Sequence, residues 1–223
     1  MKRVLPYCVF LADERVELPQ FGVDGQRVNV LRHGDLRVLW SEVDWPYQPD
    51  AMQRHAVEFH DVVRQVFLKV AVVPFRLLSV FEGEQPLQEF IATRSDDFVA
   101  DLKRLRDVVQ MECVIYFIAE RRAAAASGTA YLQEKVELLQ RIRKSAQQVQ
   151  TELAQVARAV SMREVRSGIR IFVLVDRGRE QDFKTAIDAV PIPEGLSRRT
   201  SGPWPAAEFL SDGLKSPQPA QVK

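Results

Sequence analysis

Hydrophobic positions in the first third of the chain form short extended runs and one helical stretch. Runs rich in Val, Leu and aromatic residues predict strands at 4–12, 26–31 and 36–40. Gly34 lies between the last two runs and adopts a positive φ at little cost, so this pair predicts a hairpin. Valines at near-helical spacing predict a helix over 50–69. A short strand over 70–73, which Pro74 ends, and a further strand over 77–81 complete this part.

The apolar pattern beyond residue 85 predicts three helices and three strands. A helix over 85–109 is interrupted at 93–95, and a buried strand follows over 111–119. One apolar seam with heptad-like spacing predicts a helix over 129–163, which would be about 50 Å long at ~1.5 Å per residue. The seam consists of Leu132, Val136, Leu139, Ile142, Ala146, Val149, Leu153, Val156 and Val160. The last predicted elements are a strand, a helix and a strand, over 168–175, 180–190 and 196–200.

The predicted order of elements from residue 77 alternates strand and helix. It contains the parts of a ferredoxin-like domain with one helix more than the ideal pattern has. We therefore predict an α+β fold with two domains, of which the C-terminal one is a modified ferredoxin-like fold with a long helix. The predicted domains are residues 1–76 and 77–210. The polar segment 211–223, which contains two prolines, is predicted to be disordered.

Composition limits the possible partners. The chain has 223 residues, is 46% hydrophobic and 27% charged, and so can form a folded core. Its formal net charge of +1 gives no field that attracts nucleic acid or an anionic membrane. No run reaches the ~18 apolar residues of a membrane helix. We therefore expect a cytoplasmic protein that binds neither nucleic acid nor a membrane. Cys8 and Cys113 lie in apolar runs, which predicts two buried thiols and no disulfide framework.

No motif for catalysis stands out in the sequence. It contains no phosphate loop, dinucleotide fingerprint, zinc-protease motif or serine-hydrolase elbow. His55 and His60 are five positions apart, about 140° around a helix, so they cannot share a metal ion. His55 and Glu58 have a usable i, i+3 spacing, but such pairs are common on helix surfaces. We expect no enzymatic activity, no cofactor and no metal site.

Three segments are more specific than the composition: 55–81, 127–135 (SGTAYLQEK) and 200–209 (TSGPWPAAEF). In this order they resemble the GvpF/GvpL gas vesicle protein family. The first is similar to the family's His-containing helix, strand and Pro-x-Arg step, with Leu-Leu-Ser in place of Phe-Gly-Thr. The second is similar to Ser-Gly-x-Ala-Tyr-Leu followed by Lys. The third resembles Thr-Gly-Pro-Trp-Pro-Pro-Tyr-Ser-Phe, with Ala-Ala-Glu in place of Pro-Tyr-Ser, which indicates a divergent member.

The resemblance implies a role without catalysis or cofactor. Members of the family are minor gas vesicle components or assembly factors, so the implied partners are the shell protein GvpA and other gas vesicle proteins. The family also implies a two-domain α+β protein whose C-terminal domain is a modified ferredoxin fold. The residues that match its motifs, with structural or partner-contact roles, are Pro74, Arg76, Ser127, Gly128, Tyr131, Leu132, Gly202, Pro203, Trp204 and Pro205.

Four alternatives stay open at the level of sequence. Arg76 either pairs with a carboxylate between the domains or binds a partner. Trp204, which stands between two prolines, either plugs the end of the core or anchors a partner. The long helix uses its seam either within the core or in a contact beyond its domain. The functional alternative to gas vesicle assembly is a ligand-sensing regulatory module, which predicts a pocket with converging polar groups.

Overall fold

The computed structural model of the chain describes residues 2–118, 128–165 and 168–215, with the side chains of the long helix described from Val136 onward. The chain divides into two compact units. The first unit contains the residues up to Asp107 together with those from Pro205 onward, and the second unit is Val108–Trp204. The second unit is therefore inserted into the sequence of the first.

The first unit is built on a four-stranded antiparallel sheet with the order β2-β3-β1-β4. Its strands are β1 (Lys2–Leu11), β2 (Asn29–His33), β3 (Leu36–Asp44) and β4 (Val73–Pro74). The helices α1 (Met52–Phe67), α2 (Glu84–Ala92) and α3 (Ser95–Arg104) all contact β1. Every side chain of β1 from Val4 to Leu11 is buried. Because successive side chains of a strand point to opposite faces, both faces of this strand are covered.

The second unit has the βαββαβ order and the strand order β6-β7-β5-β8 of a ferredoxin-like fold. Its elements are β5 (Val108–Phe117), α4 (Gly128–Leu153), β6 (Ala159–Val165), β7 (Gly168–Asp176), α5 (Glu180–Ala189) and β8 (Leu196–Trp204). Alternate residues of β7 are buried on the face that α4 and α5 contact, namely Ile169, Ile171, Val173 and Val175. The predicted α+β class with a ferredoxin-like second half is confirmed.

The division between the units differs from the predicted boundary after residue 76. Both α2 and α3 pack on the first sheet, because Leu87, Ile91, Phe98 and Leu102 bury their side chains there. The first unit therefore extends to Asp107. This also explains the surplus helix in the predicted ferredoxin-like pattern, because that helix belongs to the other unit.

The helix predicted over 129–163 is shorter in the structure and is followed by a strand that the sequence analysis missed. Helix α4 ends at Leu153, about 39 Å from its start at ~1.5 Å per residue. The residues of β6 pair with β7 along their whole length. Val156 and Val160 continue the helical spacing of the seam, but both lie beyond the helix. Pairing with a neighbouring strand thus overrides the local periodicity here.

The last described residues return to the first unit. They form a turn of 3-10 helix at Ala207–Phe209 and the short helix α6 at Asp212–Lys215. Leu214 is fully buried there. The predicted disorder of 211–223 therefore does not hold for 211–215, and 216–223 lie outside the described residues. Similarly, β8 continues to Trp204, past the predicted end of the last strand at residue 200. Among the described residues, the helices are too short or too polar to cross a membrane.

Candidate interaction site on the second sheet

The Gly-Pro-Trp motif forms a β-bulge at the end of β8. The three steps of Ser201–Trp204 stand opposite the two steps of Gln110–Glu112 in β5, so β8 contains one extra residue. Gly202 takes φ +118°, and a Cβ atom there would lie 2.9 Å from the main-chain oxygen of Gln110. Only glycine therefore fits at this position without strain. Pro203 lies within the bulge of an edge strand, the kind of position at which a sheet tolerates proline.

The bulge places Trp204 at the end of a line of polar contacts, which we call the cross-strand network. The indole Nε1–H of Trp204 donates to Ser201 Oγ at 3.2 Å. The Ser201 hydroxyl in turn donates to Glu112 Oε2 at 3.3 Å. Arg170 Nε donates to the other oxygen of the same carboxylate, Oε1, at 2.5 Å. The network thus joins β8, β5 and β7, and it holds a carboxylate whose side chain is only 11% exposed.

The family-like motif contains Trp204, at one end of this network, but no sequence motif marks the members on other strands. Ser201 lies within the family-like segment 200–209, but nothing near Glu112 or Arg170 marks them as its partners. They meet because the antiparallel register sets Glu112 opposite both Ser201 and Phe172, next to Arg170. Trp204 itself is half-buried, and its role as a core plug or a partner anchor stays a prediction.

A second group of polar side chains, the loop–helix cluster, lies in the first unit. It consists of Asp24, Arg54, His55 and Glu58. Asp24 Oδ1 is 2.9 Å from His55 Nε2 and 2.9 Å from Arg54 Nη2. The main-chain N–H of Asp24 donates to Glu58 Oε2 at 2.9 Å. The cluster therefore fastens the turn at Val23–Gly25 to helix α1.

The loop–helix cluster has the side-chain chemistry of a cation site, since ligand atoms of Asp24, His55 and Glu58 lie within 4.8 Å of one another. Two observations assign the place of the cation to Arg54. Its guanidinium contacts the Asp24 carboxylate directly and lies 3.6 Å from Glu58 Oε1. In the described part of the chain, His55 Nδ1 is buried without a hydrogen-bond partner, so the ring proton belongs on Nε2, facing Asp24. A metal ligand would instead need Nε2 bare and a partner for Nδ1–H.

A fully buried tyrosine, Tyr7, also contacts the loop at Val23–Gly25. The Tyr7 hydroxyl accepts a hydrogen bond from the main-chain N–H of Val23 at 2.9 Å. Burial raises the pKa of this phenol, so it stays protonated. Gly22 packs directly on the hydroxyl, because a Cβ atom there would lie 2.1 Å from it. The local structure of this loop therefore depends on a glycine as well as on the cluster.

Neither cysteine suits nucleophilic chemistry. Cys8 and Cys113 are both free and fully buried, one in the sheet of each unit. Burial raises the pKa of each thiol to about 12. The thiolate is the reactive form of cysteine, so both side chains act as small apolar core residues.

The remaining family-motif residues are spread over the chain. Pro74 ends β4. Arg76 is exposed, and its Nη2 donates to the main-chain oxygen of Lys215 at 3.4 Å. Its role, in a carboxylate pair or in partner binding, stays a prediction. Ser127 lies outside the described residues. Gly128 begins α4, and Tyr131 and Leu132 lie in its first turns, where side chains are not described.

The seam of helix α4 is buried in its C-terminal half. Ala146, Val149 and Leu153 are at most 1% exposed, and α4 contacts β5, β7 and α5 of its own unit. Val136, six residues before the buried Ile142, is 54% exposed. Of the two alternatives for the seam, the core therefore accounts for its second half.

Comparisons with known proteins agree on one family. The model of the gas vesicle synthesis protein GvpL/GvpF family matches residues 4–211. The crystal structure of the gas vesicle protein GvpF from Anabaena is similar, with a TM-score of 0.74 at 15% identity, over 92% of this chain and 94% of that one. The structure of GvpF from Microcystis aeruginosa is similar with a TM-score of 0.72 at 13% identity, over 90% of this chain and 95% of that one. No curated protein matches at a significant level of sequence similarity. Since the family model spans both units, the chain belongs to the gas vesicle synthesis protein GvpL/GvpF family.

Proposed function

We propose that the chain is an accessory protein of gas vesicle formation, a minor structural component or an assembly factor, that acts through contacts with other proteins and without catalysis. The observation behind this proposal is the family match, which covers residues 4–211 and therefore both units. The partners that we propose are the shell protein GvpA and other gas vesicle proteins. The place of action that we propose is the cytoplasm, on the gas vesicle or on its precursors.

The chemistry of the described side chains supports contact over catalysis. Burial raises the pKa of both thiols, which keeps them protonated. In the loop–helix cluster, the Arg54 guanidinium occupies the position that a metal cation would take. The best-defined group of family-motif residues, at the end of β8, shapes a strand and positions an aromatic ring. A rigidly held tryptophan beside a charged network suits recognition of a protein surface.

The test is deletion of the gene in a host that forms gas vesicles, followed by complementation with a tagged chain. We expect the deletion to abolish or strongly reduce vesicles, and the tagged chain to restore them and to co-purify with GvpA or another vesicle protein. Normal vesicle formation in the deletion strain, together with no binding to any vesicle protein, would refute the proposal. A variant with Val149→Lys and Leu153→Lys, two residues in the core of the second unit, is the unfolded control.

A further inference from the structure

Strand β2 forms one edge of the first sheet, and two of its residues direct their main-chain groups away from that sheet. The main-chain N–H of Ala12 donates to Asp35 O at 2.7 Å, which fixes the alternation of hydrogen-bonded pairs between β1 and β3. By this alternation the main-chain groups of Arg37 face β1, so those of its β2 partner Arg32 face outward, as do those of Val30. We call these outward N–H and C=O groups of Val30 and Arg32 the β2 edge.

The β2 edge is without hydrogen-bond partners in the part of the chain that the structure describes. The main-chain bonds outside the regular elements include none to Val30 or Arg32. Leu31, which lies between them, is buried, whereas Val30 is 37% exposed and Arg32 is exposed. Because successive side chains alternate, one face of β2 is covered and the other is open together with the edge.

The chain itself pairs with this side of β2 one step before the edge begins. The main-chain N–H of Val28 donates to Gln20 O at 2.9 Å. Val28 and Val30 are two residues apart, so their main-chain groups point to the same side. The pairing ends before Val30, and the residue that precedes Gln20 is Pro19, whose ring restricts φ. This side of β2 therefore accepts a strand, and its continuation along Val30 and Arg32 is open.

Two other sheet edges are protected against further strands. Strand β4 is two residues long and ends in Pro74, and β8 contains a bulge with Pro203. Short length, bulges and prolines are the usual means by which an edge avoids pairing with another chain. Strand β2 has five residues and contains no proline. Of these three edges, that of β2 is the one suited to an additional strand.

The charged side chain at the β2 edge sets the chemistry of such a strand. Arg32 stands directly opposite Arg37, and like charges in that position repel each other. Arg37 is already engaged, because its Nη2 donates to the main-chain oxygen of Glu14 at 2.7 Å and its guanidinium lies 5.3 Å from the ring centroid of Phe10. Among the described residues, no carboxylate forms an ion pair with Arg32. A carboxylate on the outer side of β2 would therefore be stabilised by Arg32.

We propose that the β2 edge binds an extended segment of a partner protein as a fifth strand, with Asp or Glu opposite Arg32 and a β-branched residue opposite Val30. This inference rests on the proposed function, since it names the kind of segment that the chain contacts. In an antiparallel pair the acidic residue precedes the β-branched one by two positions, and the residue between them lies beside Leu31. Main-chain hydrogen bonds supply affinity in this mode of binding, and the alternate side chains supply specificity.

A second copy of this chain fits the β2 edge less well than an acidic segment does. The sequence of β2, from Asn29 to His33, contains no acidic residue. No register of two β2 strands therefore gives Arg32 a carboxylate opposite it. Opposite charges across a strand pair stabilise the pair, so a partner segment with an acidic residue has an advantage that a second β2 lacks.

The experiment uses the purified full chain and the fluorescent peptide Ser-Thr-Thr-Glu-Ile-Val-Thr-Ser, with binding followed by anisotropy. We expect a Kd below about 1 mM for the native chain. Arg32→Glu should weaken binding by at least about tenfold, and a peptide with Lys in place of Glu should restore it. The control Arg64→Glu changes an exposed arginine of α1, has the same net charge, and should bind within about twofold of the native chain.

Methylated peptides test the main-chain pairing separately from the charge. The N–H groups of the peptide's Glu and Val face β2, so N-methylation of both should abolish binding. The N–H of the Ile between them faces away from β2. Its N-methylation is the matched control and should change the Kd by less than about threefold.

Folding is checked in the same series. Arg32→Glu sets a carboxylate opposite Arg37, so the Tm of this variant should stay level or rise. If it misfolds, Arg32→Gln removes the charge without reversing it and should also weaken binding. Val30→Pro removes an outward N–H and leaves the ladder with β3 intact, so it should abolish binding in a folded chain.

Three results would overturn the inference. They are no binding by the native chain at about 1 mM, an equal loss from Arg64→Glu or from methylation of Ile, and a dimer of the native chain that Val30→Pro dissociates. The last result, read by sedimentation, would assign the β2 edge to a second copy. Vesicle formation in the deletion strain is a separate readout, so a failure of the proposed function is distinguishable from a failure at the β2 edge.

Discussion

The loop–helix cluster and the cross-strand network both contain arginine–carboxylate pairs, but their contacts are connected differently. In the cluster, the contacts form a closed loop, because Arg54 contacts both Asp24 and Glu58, and Glu58 also accepts from the main-chain N–H of Asp24. In the network, each side chain is linked to the next in a single line from Trp204 to Arg170. The first arrangement is redundant and the second is serial. Removal of one member should therefore have a small effect in the cluster and a larger effect in the network.

The strongest test of this difference is at the bulge that aligns the network. We expect Gly202→Ala to cost about 4 kcal/mol of the free energy of unfolding, because φ is +118° and the new Cβ would be 2.9 Å from a main-chain oxygen and from Met111 Sδ. Urea unfolding measures the loss. Thiol labelling at neutral pH should detect Cys113 before Cys8, since the damaged strand β8 pairs with β5. A cost below about 1 kcal/mol would mean that the bulge relaxes.

The matching substitution on the side of the cluster is Gly22→Ala. Its Cβ would lie 2.1 Å from the hydroxyl of Tyr7, a side chain that is 0% exposed and cannot move aside. The backbone at Gly22 has an ordinary negative φ, so only the clash contributes, and we expect a loss of about 3 kcal/mol. In this variant the order of thiol labelling should reverse, with Cys8 of β1 reacting first. Labelling of Cys113 first in both variants would contradict the independence of the two sites.

Within the network itself, we expect Glu112→Ala to cost about 2 kcal/mol. The substitution removes the carboxylate that accepts from both Ser201 and Arg170, and this side chain is almost buried. Chemical unfolding measures the loss, and Trp204→Phe is the milder companion, which removes the indole donor and part of the ring and should cost about 1 kcal/mol. If Trp204→Phe costs as much as Glu112→Ala, packing of the indole outweighs the hydrogen bond.

The smallest effect should come from the cluster. Arg54 is 59% exposed, and His55 keeps its contact with Asp24 when the guanidinium is removed. We therefore expect Arg54→Ala to change the free energy of unfolding by less than about 0.5 kcal/mol. Calorimetry under matched buffer conditions resolves this difference when it is read beside Glu112→Ala. A loss similar to that of Glu112→Ala would show that the remaining contacts of the cluster do not compensate for the loss of one member.

Sequence patterns anticipated the elements whose signals are local. The hairpin at Gly34 follows from a glycine between two apolar runs, and it is present with φ +53°. Helix α1 lies within the predicted range, but its buried face is only partly the valine stripe, because Val57 is 57% exposed whereas His55 and Phe59 are buried. The stripe identified the helix without fixing its rotation, because packing partners decide which side is buried.

Features that depend on strand pairing could not be predicted from the sequence. The predicted helix over 129–163 includes most of strand β6, because Val156 and Val160 continue the spacing of three or four residues. Glu112 and Arg170, which are 58 positions apart, become neighbours only through the register of two strands. The family-motif segment at 200–209 contains Ser201 and Trp204, but the other members of the network, Glu112 and Arg170, lie on other strands.

The insertion of the second unit has a consequence for the nascent chain. The first unit begins to emerge from the ribosome early, but its last segment is made after the whole of the second unit. Until then, Asp101, which is 3% exposed in the folded chain, lacks the main-chain N–H of Ser211 that it accepts at 2.6 Å. Leu214 is likewise absent from the core that it completes. The unit whose synthesis starts first is thus the one that is completed last. It gains the contacts of Ser211 and Leu214 only when the C-terminal segment has been translated.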